Sequence, residues 1–179
     1  MVHSLPPMAP YAHAPLRDPY GNRVHRKLRI SVTDRCALKC TYCVPDGKHQ
    51  FMPRESILSF EEIVKVAESA VSLGVNRFRI TGGEPLQRRG IVDLVAKLRA
   101  IPGVEGIGLT TNAERLAPVA KSLFEAGVDK VNISIDTLNA ERFHRLTRVD
   151  RLQQVLEGIE AAGGLGFRSR KLNCVPLRG

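Results

Sequence analysis

The sequence predicts an α/β fold, five parallel strands joined by helices and rolled into a barrel wall. Two observations carry this prediction. Five short apolar runs alternate with helical patterns at spacings of roughly 25 to 50 residues, the rhythm of βα units joined into a parallel sheet. Polar residues recur at every second position of those runs, and side chains two apart on a strand share a face, so one face of nearly every strand is polar and strongly cationic. Central strands of an open parallel sheet read instead as continuous apolar runs, because helices cover both faces. Apolar outside and polar inside is what a barrel around a wet, anion-binding cavity requires. An open sheet with one poorly covered face is the alternative, and it leaves the cationic face unexplained.

Residues 1–25 read as a flexible leader and residues 26–179 as the core domain. The leader has five prolines and no apolar run, so it resembles neither a secretory signal nor an amphipathic transit helix. The first strand is Leu28–Val32, with Arg29, Ser31 and Thr33 on the polar side. Ser59 and Glu62 form a capping box, followed by Phe60, Ile63, Val64, Ala67, Ala70 and Val71 on one helical face and Gly74 as the stop. Phe78–Thr81 is the second strand, with Arg77, Arg79 and Thr81 on the polar side. Ile91, Leu94, Val95 and Leu98 mark the next helix, closed by Pro102-Gly103. After the strand Gly106–Thr110, a helix starting near Pro118 buries Val119, Leu123 and Phe124 and ends at Gly127. The fourth strand is Val131–Ile135, with Asn132, Ser134 and Asp136 on the polar side. Asp150 and Gln153 read as caps of a helix whose inner face is Leu152, Val155, Leu156 and Ile159. The fifth strand is Lys171–Val175, with Lys171 and Asn173 polar-side and Cys174 on the opposite, buried side.

The chain has 179 residues, enough for one domain or a large piece of one. With 43% hydrophobic and 25% charged residues, disorder and collagen-like repeats are excluded. Beyond the first sixteen residues no uncharged stretch exceeds eight, too short for an apolar span of roughly 20 residues. A cytoplasmic protein without a membrane contact is therefore expected. Lys and Arg number 27 against 18 Asp and Glu, and the net charge of +9 suits an anionic partner. With no Trp, three Tyr and six Phe there is little surface on which bases could stack, which favours a phosphorylated small molecule over nucleic acid. The arginines at 142, 145, 148 and 151, with the Arg23–Arg29 cluster, are the best support for a nucleic-acid alternative. Such stripes are most often solvated surface.

Cys36, Cys40 and Cys43 fall within eight positions, crowding that points to metal or redox chemistry rather than disulfides. They directly follow the first strand, at the end of a parallel sheet where active sites gather. Thiolates at this spacing can hold three irons of a cubane cluster; full ligation takes four cysteines, so one iron would stay open to a substrate. Structural zinc needs four closed ligands, and His49 alone does not complete such a set. Thr81-Gly82-Gly83-Glu84-Pro85 follows the second strand, with Gly82 39 residues after Cys43. Gly103, Gly106 and Gly108 form a GxxGxG string, but it precedes a strand rather than a helix and makes no nucleotide loop.

The C-x3-C-x2-C loop with Tyr42 before its last cysteine, together with the GGEP turn, resembles the radical S-adenosylmethionine (radical SAM) superfamily. Within it, the segments Leu28–Cys36, Arg79–Leu86, Leu109–Asn112, Val131–Asp136 and Lys171–Asn173 resemble the GTP 3′,8-cyclase family of molybdenum-cofactor biosynthesis, in order and spacing. The resemblance implies one 4Fe-4S cluster on Cys36, Cys40 and Cys43 with an open iron. It implies contacts to S-adenosylmethionine from Tyr42, Gly83 and Ser134. Arg29, Arg79, Thr110 and Lys171 would contact GTP, with Arg77 as a supporting cation beside the triphosphate. The implied reaction makes a 5′-deoxyadenosyl radical that removes the ribose 3′ hydrogen of GTP, after which the carbon radical attacks guanine C8. Implied partners are an electron donor such as flavodoxin or ferredoxin, a downstream cyclic pyranopterin monophosphate synthase, and a second copy in a homodimer. Ala113 departs from the family, which has Gly after the TTN segment. The resemblance makes the fold a partial TIM-like (β/α)6 radical SAM barrel with about five of six strands present, since the family carries a sixth strand and a second cluster on three further cysteines, whereas this chain has only Cys174 after Cys43. The expectation is a truncated core that ligates the first cluster and binds S-adenosylmethionine without completing cyclisation. The alternatives are another radical SAM enzyme, such as a peptide-modifying one, and a basic nucleic-acid-binding protein with a structural metal. The cationic face argues against the first of these.

Overall fold

The computed structural model of the chain describes residues 14–18, 20 and 23–176. Five strands form a single all-parallel sheet: β1 (Lys27–Ser31), β2 (Arg77–Thr81), β3 (Gly106–Thr111), β4 (Lys130–Ser134) and β5 (Ser169–Asn173). Their spatial order is the chain order, β1-β2-β3-β4-β5. Each connection therefore moves one strand in the same direction, the winding of a barrel wall. A doubly wound sheet would reverse at a switch point. Five helices make the connections: α1 (Phe60–Ser72), α2 (Ile91–Ala100), α3 (Ala120–Glu125), α4 (Ala140–Thr147) and α5 (Leu152–Gly163).

The expected alternation holds. Phe78 and Ile80 of β2, Ile107 and Leu109 of β3, and Val131 and Ile133 of β4 are buried under the helices, packed with Leu94, Leu98, Leu123 and Val155. Burial of a Leu, Ile, Val or Phe side chain contributes about 1.5–3 kcal/mol each, so this single core is the main source of stability. The capping box of α1 is present in both directions: Glu62 N–H donates to Ser59 Oγ at 3.1 Å, and Ser59 N–H donates to Glu62 Oε2 at 2.7 Å. Glu62 is consequently held below the usual carboxylate range by the hydrogen bonds from Ser59.

Several expectations need correction. The third helix opens as a 3-10 turn over Ala117–Val119, and Phe124 is 38% exposed, edge-on to Phe167 at 5.3 Å rather than in the core. A further helix, α4, stands between β4 and α5; Asn139 caps it by accepting the Arg142 N–H at 2.9 Å. Asp150 caps nothing: it meets His144 Nδ1 at 2.8 Å, and Gln153 reaches Glu157. The arginine stripe is split, with Arg142 and Arg145 on α4, Arg148 at its C-terminal cap and Arg151 before α5. The fifth strand lies two residues earlier than expected. Asn173 O accepts the Ile135 N–H, and Asp136 Oδ1 takes the Val175 N–H at 2.9 Å, ending the ladder. Cys174 is exposed, its thiol pointing at Asp136 O, because no described element packs against the outer side of the chain there. Within the leader, Arg17 and Val24 form an antiparallel bridge, and Leu16 N–H donates to Leu73 O at the end of α1.

Candidate active site at the carboxyl end of the sheet

The cysteine loop leaves β1 and packs against the end of α4. Lys39 N–H donates to Thr147 O at 3.0 Å and Thr41 N–H to Leu146 O at 2.9 Å. Arg148, the C-terminal cap of α4, adopts the left-handed conformation with φ 58. Its guanidinium donates to Val44 O and Pro45 O at 2.7 Å each and to Lys39 O at 3.4 Å. Gly47, with φ 66, leaves room for it; a Cβ there would lie 3.0 Å from Nη1. His49 is turned to Leu38 O and stacks on Phe51 with centroids 5.0 Å apart.

All three loop cysteines are free thiols, Cys36 and Cys40 half-buried and Cys43 exposed. Among the described residues no three His, Cys, Asp or Glu side chains converge on a point that one metal ion could occupy. A cubane asks for something different, one thiolate per iron. Burial pushes the Cys36 thiol up to about 11, with the Glu84 carboxylate adding to the shift and the Leu38 N–H opposing it. Cys40 is likewise raised, by burial first and then by Cys43. Burial also raises Tyr42, whose hydroxyl donates to Asp136 Oδ2 at 2.6 Å and so ties the loop to the exit of β4.

The GGEP turn locks onto the start of that loop. Gly83 N–H donates to Thr33 O at 2.6 Å and Glu84 N–H to Arg35 O at 2.7 Å. A Cβ on Gly82 would sit 2.4 Å from Thr33 O, and one on Gly83 2.4 Å from Arg35 O. Only glycine admits the two backbones this close. Both glycines therefore serve the close approach of the turn to the protein's own backbone. Arg88 reinforces the junction by donating to Val32 O at 2.6 Å and Leu58 O at 2.5 Å, with its guanidinium 4.3 Å from the Phe60 ring centroid. Glu84 is 1% exposed and accepts from Thr111 Oγ1, Leu86 N and Asn112 N; burial raises its carboxyl and those three bonds counter the rise.

Of the residues expected at the site, Tyr42 and Ser134 line one small cavity of about 50 Å³ together with Cys40, Asn112 and Asp136. Arg29, Arg79, Thr110 and Lys171 all stand on the concave face. The ladder sets Arg29 beside Arg79 and Arg79 beside Gly108, and it sets Thr110, Asn132 and Lys171 in one row. Arg79 lies over Gly108, where a Cβ would come within 2.9 Å of the guanidinium, and reaches Leu109 O and Thr110 Oγ1 at 3.4 Å. Burial, then the Arg29 charge, lowers the Arg79 pKa. None of the ion pairs among the described residues involves Arg29, Arg79, Lys130 or Lys171. Arg77, at the amino end of β2 and 3.6 Å from Glu105, shares with Arg79 a cavity of about 110 Å³ that Lys27, Lys130, Arg168 and the carboxylates of Glu105 and Asp129 also line. Sequence reasoning missed Lys130, although its period-two relation to Asn132 announces it. Asn112 and Arg148 were missed as site residues because their partners are distant in sequence.

Comparison with known proteins agrees with this geometry. The model of the Radical SAM superfamily matches residues 30–179. A GTP 3′,8-cyclase of Pseudomonas putida is 52% identical over 158 residues, 88% of this chain and 47% of that protein. One from Listeria monocytogenes is 51% identical over 164 residues, 92% of this chain and 49% of that protein. The chain thus spans about half the length of these curated relatives. Among solved structures, Streptococcus suis SuiB bound to its precursor peptide SuiA superposes with a TM-score of 0.68 at 22% identity, over 87% of this chain and 34% of that one. HydG, a maturase of the [FeFe]-hydrogenase, does so with a TM-score of 0.64 at 17% identity, over 86% and 36%. At those identities the likeness is one of fold: the same strand-and-helix wall recurs under sequences only 17–22% identical. The match of residues 30–179 runs from β1 through the cysteine loop and the GGEP turn to the last strand, and the chain belongs to the radical SAM superfamily.

Proposed function

We propose that this chain is the radical-forming core of a GTP 3′,8-cyclase, a lyase that converts GTP to 3′,8-cyclo-7,8-dihydro-GTP at the start of molybdenum-cofactor biosynthesis. The observation that carries the reading is the pair Arg29 and Arg79, side by side on the concave face without a carboxylate partner among the described residues. Neighbouring unpaired cations are costly to desolvate unless an anion completes them, and a triphosphate matches guanidinium forks. Half-identity to GTP 3′,8-cyclases supports the same substrate.

The donor set fits the cluster that the family implies: three free thiols on one loop, soft ligands suited to iron and sulfide. Cys36, Cys40 and Cys43 would hold it. When bound, it would supply one electron to the sulfonium of S-adenosylmethionine, splitting it into methionine and a 5′-deoxyadenosyl radical. The chain's own residues position and shield. Tyr42, Gly83 and Ser134 hold S-adenosylmethionine at the carboxyl end. Arg29, Arg79, Thr110 and Lys171 hold GTP on the concave face, with Arg77 steering the triphosphate from the amino end. The apolar wall under the helices keeps water from the strands' outer side. A flavodoxin- or ferredoxin-type protein is the proposed electron source. A cyclic pyranopterin monophosphate synthase is the proposed consumer of the product.

Anaerobic reconstitution tests the assignment. The protein should take up iron and sulfide and develop brown visible absorbance, and C36S, C40S and C43S should each abolish it. Full iron content in those variants overturns the cluster reading. GTP should accelerate or couple the consumption of S-adenosylmethionine, and R79A should remove that effect. Consumption indifferent to GTP points to a different substrate and overturns the cyclase reading.

A further inference from the structure

We propose that Asn112 is a positioning residue for the cluster, donating an N–H···S hydrogen bond to Cys36 that sets how readily the cluster accepts its electron; the inference rests on the cluster assignment above. Asn112 follows β3, in the turn facing the cysteine loop, and its Nδ2 lies 3.7 Å from Cys36 Sγ. The two ends of an Asn amide are commonly interchangeable in assignment. They are not interchangeable at this turn. Oδ1 accepts the Glu114 N–H at 3.0 Å, a bond only the oxygen can make, so the amino group is left facing the sulfur.

The turn that presents Asn112 is held from below. Its backbone N–H donates to Glu84 Oε2 at 2.7 Å, and Thr111 Oγ1 donates to Glu84 Oε1 at 2.7 Å while accepting the Ala113 N–H at 3.0 Å. Ala113 completes the turn with φ 64. Glu84 therefore links the GGEP turn to Asn112, and Asn112 links both to Cys36. This chain of bonds spans the exits of β1, β2 and β3, and its members polarise and hold one another.

The consequence is electrostatic. Electron density on a ligating sulfur grows when a cluster is reduced, and a donor aimed at that sulfur stabilises the reduced form more than the oxidised one. Removing the donor should make reduction harder. N112D keeps the oxygen that caps Glu114 and replaces the donor with a carboxylate; N112A removes the donor without adding charge.

Redox titration of the reconstituted protein, followed by electron paramagnetic resonance, decides the matter. At iron content equal to wild type, N112D should lower the reduction equilibrium constant by about tenfold, roughly 59 mV for one electron, and N112A should shift it less in the same direction. Unchanged midpoints in both variants overturn the proposal. So does an unchanged midpoint with weakened S-adenosylmethionine binding, which would assign the amino group to that ligand instead. Loss of the cluster in both variants, with native circular dichroism, would reduce Asn112 to a structural role and equally overturn it. Failure of the wild-type protein to assemble a cluster would instead remove the reading on which the proposal stands.

Discussion

Arg148 offers the sharpest test of how the cysteine loop is held, because the same residue carries a stabilising and a destabilising term. Its guanidinium makes three hydrogen bonds to loop carbonyls, on an exposed side chain where each is worth about 0.5 kcal/mol, at the low end for protein hydrogen bonds. Its backbone is left-handed at φ 58, which costs a non-glycine residue roughly 1–2 kcal/mol. R148A loses the bonds and keeps the strain, a net loss of about 1.5 kcal/mol, or roughly tenfold in the open population of the loop. R148G loses the same bonds but relieves about 1 kcal/mol of strain, leaving roughly a twofold effect. Hydrogen exchange of the apo-protein reads this directly: the amides of Val44 and Gly47, bonded to Cys40 O and Val44 O, should exchange about tenfold faster in R148A and about twofold faster in R148G. Equal exchange in R148A and wild type would show that the clamp holds nothing. Equal rates in R148A and R148G would show that no strain is stored at the cap.

The raised thiol of Cys36 predicts slow alkylation. A shift from 9.0 to about 11 cuts the thiolate fraction at pH 8 by about 100-fold, measurable by mass spectrometry of iodoacetamide-treated apo-protein; a rate like that of a free thiol refutes it. Because the folded state favours the neutral thiol, that contribution to stability is complete below pH 9.0 and is lost as pH rises through about 11, so melting temperature should fall across that window. Gly83 and Gly108 should respond differently to alanine. G83A drives a Cβ to 2.4 Å from Arg35 O, a backbone atom, and should cost about 3 kcal/mol, several degrees in melting temperature. G108A meets only the movable Arg79 guanidinium and should melt near wild type while weakening anion binding. Inorganic triphosphate should raise the melting temperature at low ionic strength, an effect that fades as the Debye length shortens to roughly 8 Å; the same rise in an R29A/R79A double variant would refute the cationic-face argument.

What was legible in the sequence was what local chemistry decides. The capping box of α1 needs only Ser59 and Glu62, three residues apart, and it formed as read. The alternation of Phe78, Arg79 and Ile80 was legible because a strand has two faces and one of them is covered. Asp150 was misread because a carboxylate near a helix start has more than one possible partner, and the fold offered His144 at 2.8 Å. Helix α4 was invisible to pattern because its sequence is mostly polar, with Phe143 and Thr147 alone buried, and because it packs on the cysteine loop as well as on the core. Cys174 was read from strand alternation, which says which way a side chain points but not whether anything covers it. At the site, the cysteines and the GGEP turn announce themselves by spacing. Arg148 and Asn112 reach loop atoms about 100 and 76 residues away, and no periodicity encodes such distances.

The concave face is built against the sheet's own interest. Paired residues on neighbouring strands lie about 4.8 Å apart, so two guanidinium groups in register would repel by up to about 3 kcal/mol at an effective dielectric of 20. Arg29 and Arg79 are such a pair. The next strand gives up side chains beside the arginines of β2: Gly106 faces Arg77 and Gly108 faces Arg79 on the inward side of β3, where glycine weakens a strand by roughly 0.5–1 kcal/mol relative to alanine. Each glycine removes atoms from beside an arginine, Gly108 most closely, since a methyl there would strike the Arg79 guanidinium. A sequence tuned for stability alone would place small apolar or paired residues in this row. The repulsion, the lost strand propensity and the desolvated Arg79 all become favourable together only when an anion enters the concavity. The loops divide the labour accordingly. Soft thiols and close backbone approach gather at the strand exits, where Cys36, Gly83 and Asn112 lie, while the concentrated positive charge is carried on the rigid strands below.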